Sequence, residues 1–146
     1  MKASFTLRAC VGTCALLIAA ATLATATAQV EKGKSRPMRT EHFMEGSIKP
    51  HATGIKKGLE AGPSTDEAWN ELAMHAAILN EGSYVLMEDG RCPDSVWADA
   101  ATKTMRHGSE SLIQAIDLKD LAAAKKAFGD LSKSCKECHE KHKKKH

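Results

Sequence analysis

The chain has few aromatic residues, little proline and no run that alternates apolar with polar. Phe, Trp and Tyr make up 4% of its 146 residues, so a domain of this size has few large side chains with which to fill a core. Without alternation at period two over any useful length, a sheet is not expected, and no internal repeat suggests a solenoid. The formal net charge is only +3, far from the strong basic field that nucleic acid demands. No grouping of nucleophile, base and oxyanion donors presents itself, so an enzyme is not expected. Cysteines are present in an odd number, five, which does not close into a disulfide framework.

The N-terminus has the layout of an export signal. Lys2 and Arg8 form a positive start, Val11 to Leu23 is a short apolar run, and Ala26-Thr27-Ala28 supplies small residues for cleavage. The expected cut follows Ala28, with a cut after Ala26 as the alternative. The apolar run falls short of the roughly 20 residues needed to cross a bilayer, so no membrane span is expected after cleavage and the destination is the periplasm. Residues 1–28 are thus a cleaved signal peptide, 29–39 a polar, flexible leader, and 40–146 the folded domain. Cys10 and Cys14 leave with the signal, and Cys92, Cys135 and Cys138 stay. Losing Lys2 and Arg8 brings the charge to about +1.

Breaks divide the domain into four segments of helical period. Gly62-Pro63 precedes Ser64-Thr65-Asp66-Glu67, a capping-box pattern. Gly90 to Ser95 is a second break, and the polar stretch from Asp117 to Asp120 a third. The first segment, 40–60, aligns Met44, Ile48, Ile55 and Leu59, with His51 in the gap and Pro50 expected to kink it. The second, 66–88, aligns Trp69, Leu72, Ala76 and Leu79. The third, 95–116, aligns Trp97, Ala101, Met105, Gly108, Leu112 and Ile116. The fourth, 121–143, aligns Ala124, Phe128, Leu131, Cys135 and Cys138. Four amphipathic helices with short connections give an all-α, up-down-up-down antiparallel four-helix bundle.

The fourth segment carries Cys135-Lys136-Glu137-Cys138-His139, the C-x-x-C-H pattern of covalent c-type haem attachment. On a helix, positions i, i+3 and i+4 share a face. Both thiols can therefore bond one porphyrin edge while the His139 imidazole reaches the iron from below. Phe128 and Leu131 continue that face and are candidates to pack against the macrocycle. One large apolar haem would also relieve the shortage of core. A redox dithiol is the weaker alternative, since its usual βαβ surroundings are missing. A structural zinc site would need a second ligand pair at matching spacing.

The stretch Ala123 to Lys143, AAKKAFGDLSKSCKECHEKHK, resembles the last helix of the cytochrome c-prime superfamily. The likeness is looser in the first segment and faint in the middle two. One departure is visible: the family usually has an aromatic residue three positions after the haem histidine and then Arg or Lys, where this chain has His142 and Lys143. The resemblance implies one covalent haem c and no catalysis. It also implies two possible functions, because one branch of the family leaves the distal side of iron open and binds nitric oxide or carbon monoxide. The other branch supplies a methionine from the first helix and carries single electrons. Relatives often pair through their first two helices, so a homodimer is expected on resemblance alone.

Topology points to Met44 as the distal iron ligand. In an antiparallel bundle the start of the first helix lies beside the end of the fourth, where His139 sits. Met44 is near that start and on the inward stripe. His51 is on the same stripe but about 10 Å further along, and His42 is on another face. A one-residue slip would instead put Phe43 over an open, gas-binding iron. The basic tail from Lys141 to His146 offers a docking surface for an acidic redox partner or, more simply, a solvated helix end. Cys92 is expected as a free thiol in a loop.

Overall fold

A computed structural model describes residues 35–143, and among them there are four helices and no strand. Helix α1 runs over 40–61, α2 over Asp66–Val85, α3 over 95–117 and α4 over Leu121–His142. The expected order and boundaries hold to within about three residues. The expected signal peptide and the last three residues of the tail lie outside the described residues.

Local chemistry accounts for most of the helix ends. Thr65 Oγ1 accepts from the Ala68 amide at 3.2 Å, opening α2. Asp94 Oδ1 accepts from the Trp97 amide at 3.0 Å, opening α3. Asp120 Oδ1 accepts from the Ala123 amide at 2.9 Å, opening α4. Each bond satisfies one of the amides that a helix start leaves without a partner. Helix α1 has no such side-chain bond at Arg39.

Two helices are wound loosely part-way along. In α1, Met44–Ile48 forms a π segment whose end is marked by the Lys49 amide bonding five residues back to Met44 O. Pro50, expected to kink the helix, instead occupies the first turn of the regular stretch Lys49–Ala61. There its missing N–H matters least, because the wider turn before it has already broken the ordinary ladder. In α3, Ala100–Arg106 is a second π segment. The Arg106 carbonyl at its end accepts from Asn80 Nδ2 at 3.1 Å and from Ser109 Oγ at 2.8 Å.

The aligned apolar positions meet in one core. Ile48, Ile55 and Leu59 of α1 are buried with Trp69, Leu72 and Leu79 of α2, Trp97, Met105 and Leu112 of α3, and Ala124 and Leu131 of α4. Gly82 lets α1 approach α2: a Cβ there would lie 2.5 Å from Ile48 Cδ1 and 3.5 Å from Phe43 Cζ. Further along the same pair of helices, His51 and His75 meet Nδ1 to Nδ1 at 2.8 Å. The His75 ring fills the space left by Gly54, where a Cβ would come within 2.4 Å of Nε2. His51, expected only to fill a gap in the stripe, is thus half of an interhelical hydrogen bond.

Burial, and then the neighbouring His75, push the His51 pKa below its ordinary value. A histidine depressed in the folded state contributes stability above its unfolded pKa of about 6.5 and loses it as pH falls through the folded value. The melting temperature is therefore expected to drop on acidification from pH 7 towards 5, and His51→Gln to flatten that part of the profile. Gly54→Ala should cost about 1–3 kcal/mol by overpacking against the His75 ring. Thermal melts across a pH series measure both.

Candidate functional site

The start of α1 and the end of α4 enclose an apolar cavity with walls from α3 and the end of α2. Met44, Ile48, Leu86, Trp97, Ala101, Met105, Cys135, Cys138 and His139 line it, and it takes in about 430 Å³ including its open mouth. Both π segments border it, through Met44 and Ile48 on one side and Ala100, Ala101 and Met105 on the other. Such wide turns recur at functional sites because they turn side chains off the regular helical face.

Three sequence-selected residues come together here on α4. Cys135 and Cys138 are half-buried, and His139 is at the accessible rim. Cys135 Sγ lies 3.8 Å from Leu131 O. Burial raises the Cys138 thiol to about 11, with Cys135 and Asp94 adding to the effect. A reactive or metal-binding cysteine needs the opposite, a thiolate stabilised by its surroundings. This wall suits a sulfur that never ionises, as in a thioether. His139 is moved the other way: desolvation, then the Lys143 ammonium, lower its pKa against a pull from Glu45. The neutral imidazole, with a free lone pair for a metal, is favoured.

Met44 lines the same cavity from α1. Phe43 does not; its ring tip is turned towards Gly82 of α2, close to Ile48 and Met105. The exposed carboxylate of Glu45 accepts from Lys49 Nζ at 2.7 Å and feels the charges of Lys143 and His139 only as smaller effects. Phe128 and Leu131, expected to pack on the macrocycle, do not line the cavity. Leu131 is one turn of α4 away and is buried against Gly108, where a Cβ would lie 3.1 Å from its Cδ1. Phe128 is about 10 Å from Cys135 along the helix and borders an open groove between α1 and α4 with Lys56 and Leu59. A shared helical face brought them into line in the sequence, but the cavity reaches only the last two turns of α4.

Beneath the cavity the α3 start and the α4 end are joined. Trp97, 2% exposed, donates from Nε1 to Leu86 O at 2.8 Å. The His142 ring stands edge-on to Trp97, with centroids 5.4 Å apart and planes at 80°. His142 occupies the position where an aromatic ring is usual and is itself buried. Its Nε2 lies 3.4 Å from Asp94 Oδ1 without making a hydrogen bond. Lys141 pairs with Asp94 Oδ2 at 2.7 Å, so this part of the basic tail is committed to the fold. Asp94 thus caps α3 and holds α4, and its pKa falls to about 2, chiefly through the Lys141 bond. The chain expected to be a flexible leader is also tied at its end, with Ser35 and Arg36 bonded to Asp89.

A four-helix bundle with an apolar cavity bordered by a C-x-x-C-H turn has the architecture of a c-type cytochrome. Residues 67–143 match the family described as Cytochrome C', and the chain belongs to that family, whose members carry one covalently attached c-type haem. No curated protein and no solved structure matches it. The matched stretch takes in the C-x-x-C-H turn but begins after α1, so the helix that carries Met44 lies outside it. The residues present fit a haem: two thiols and a neutral imidazole on one wall, apolar side chains on the others. No described helix is long and apolar enough to cross a membrane.

Asp94→Ala is expected to cost about 0.5–2 kcal/mol for the lost cap alone, whereas Asp94→Asn keeps the cap and loses the ion pair. Because the Asp94 pKa is depressed in the folded state, its contribution is complete above about pH 4 and disappears as the pH falls towards 2. Denaturant melts from pH 7 down to pH 2 should bring the parent protein towards Asp94→Asn at the acidic end, with Asp94→Ala staying below both by the lost cap.

Proposed function

We propose that the protein is an exported, periplasmic one-electron carrier that holds its haem through Cys135 and Cys138, with His139 and Met44 as the axial ligands of iron. The observation that carries this reading is that Met44 faces the cavity from α1 while Cys135, Cys138 and His139 face it from α4. The haem, when bound, supplies a one-electron iron couple.

The chain's own residues suit that role. A Met44 thioether and the His139 imidazole, as the two protein ligands, would raise the potential relative to two histidines, as a carrier with an oxidising partner requires. Ile48, Leu86, Trp97 and Met105 keep water from the far wall, and a less solvated site also raises the potential. The accessible rim at His139 gives electrons a short route to a partner surface. We read that partner as a protein with an acidic face that docks near the end of α4, where Lys143 is exposed.

The reduced holoprotein is expected to show a sharp low-spin α band that carbon monoxide leaves unchanged over minutes. Met44→Ala should turn the spectrum high-spin and admit the gas. If the unmodified protein is high-spin and takes up carbon monoxide at once, the carrier reading falls and the gas-binding alternative replaces it. Cys135→Ser combined with Cys138→Ser should allow acid–acetone to extract the haem, whereas the parent protein should retain it.

A further inference from the structure

Helix α1 carries Met44 but lacks the side-chain cap that each of the other three helices has. Its start is held instead from the loop between α2 and α3. Arg91 donates from Nη1 to Thr40 Oγ1 at 3.1 Å and from Nη2 to Met38 O at 2.8 Å. Next to it, Asp89 accepts from the Ser35 amide at 2.7 Å, the Ser35 hydroxyl at 2.8 Å and the Arg36 amide at 3.0 Å. Asp89 also takes a left-handed backbone conformation, φ 60°, followed by Gly90 at φ 74°, a tight reversal that turns both side chains towards the same strip of chain.

The burial of Arg91 is unusual. It is 4% exposed, Thr40 is fully buried, and Arg91 Nε has no hydrogen-bond partner. A guanidinium removed from water is costly unless its bonds are well placed. This one spends its two bonds on the residue that opens α1 and on the carbonyl two residues earlier. Two bonds from one planar group fix direction as well as distance, which a lysine ammonium does not do. Thr40 precedes Met44 by four residues, so the two share a helical face one turn apart, about 6 Å along the axis.

The same loop sets the opposite side of the cavity. Leu86 lines the cavity and accepts the Trp97 Nε1 bond, and Asp94 holds Lys141 at the end of α4. One piece of chain therefore serves as the reference for both helices that face the iron site. We propose that Arg91, supported by Asp89, is a positioning residue that fixes the height and rotation of the first turn of α1 and so aims the Met44 thioether into the cavity. The proposal rests on the reading of Met44 as the distal ligand.

The test compares Arg91→Met, Arg91→Lys and Met44→Ala as reduced holoproteins, by absorption spectrum, carbon monoxide binding rate, far-ultraviolet circular dichroism and melting temperature. Arg91→Met is expected to keep its helix content, gain a high-spin component and bind carbon monoxide at least ten-fold faster than the parent protein. Arg91→Lys should fall between them, because it restores charge without the fork. Should Arg91→Met fail to accumulate, Thr40→Val, which removes one acceptor at nearly constant volume, carries the same test and the same direction of change. Folded Arg91→Met, or Thr40→Val in its place, with the parent spectrum and gas rate, alongside a high-spin Met44→Ala, would overturn the positioning role and leave the ligand reading standing. A Met44→Ala protein that stays low-spin would remove the ligand reading first, and the positioning role with it.

Discussion

The placing of the start of α1 and the last turns of α4 on opposite sides of one cavity governs this molecule. An antiparallel bundle brings those two ends to the same end of the molecule, yet on its own it would pack them together and leave no room. Space arises because both neighbouring walls are wound loosely where they border it, at Met44–Ile48 and at Ala100–Arg106. The glycine at position 82 lets Phe43 and Ile48 sink towards α2, which leaves Met44 facing the opening. A cavity at the end of the bundle is thus the joint result of topology and of two departures from a regular helix.

Around that opening, polar chemistry is confined to the supports. The lining is apolar apart from sulfur and one imidazole, while the charged groups that fix it lie a layer away. Asp94 serves three neighbours, the Trp97 amide, Lys141 and the edge of His142. Keeping the charges behind the wall avoids desolvating them beside the cofactor, where an unpaired charge would be most costly. It also explains how His142 can take the place of an aromatic ring: the site asks for a flat group against Trp97, and an imidazole beside a carboxylate meets that requirement.

Much of this is legible in the sequence alone. Helix number, order and boundaries followed from the 3.6-residue period and from the Gly, Pro and Asp breaks, since those signals are local. The C-x-x-C-H turn was equally plain because its chemistry lies within five successive residues. The placement of Phe128 and Leu131 was not, because period tells which face a residue shares and not how far along that face a cavity extends. His51 read as a stripe residue, since its partner is on another helix and the vacancy that admits the pair is a glycine three positions later. The π segments, too, left no mark in a period read over whole helices. Arg91 gave no signal at all; an arginine in a polar loop is ordinarily solvated, and only the fold buries it.

The supports of the cavity mouth join positions far apart in the chain, 51 residues between Arg91 and Thr40 and 54 between Asp89 and Ser35. Bonds of that span carry a loop-closure cost that local helices do not. Exposed ones such as Asp89 to Ser35, unlike the buried Arg91 to Thr40 bond, are of the kind that opens first in a native state. A cofactor held there only by fit would escape through each such opening. Covalent bonds from Cys135 and Cys138, as proposed, would separate retention from closure, so that an opening of the mouth would leave the cargo with the chain.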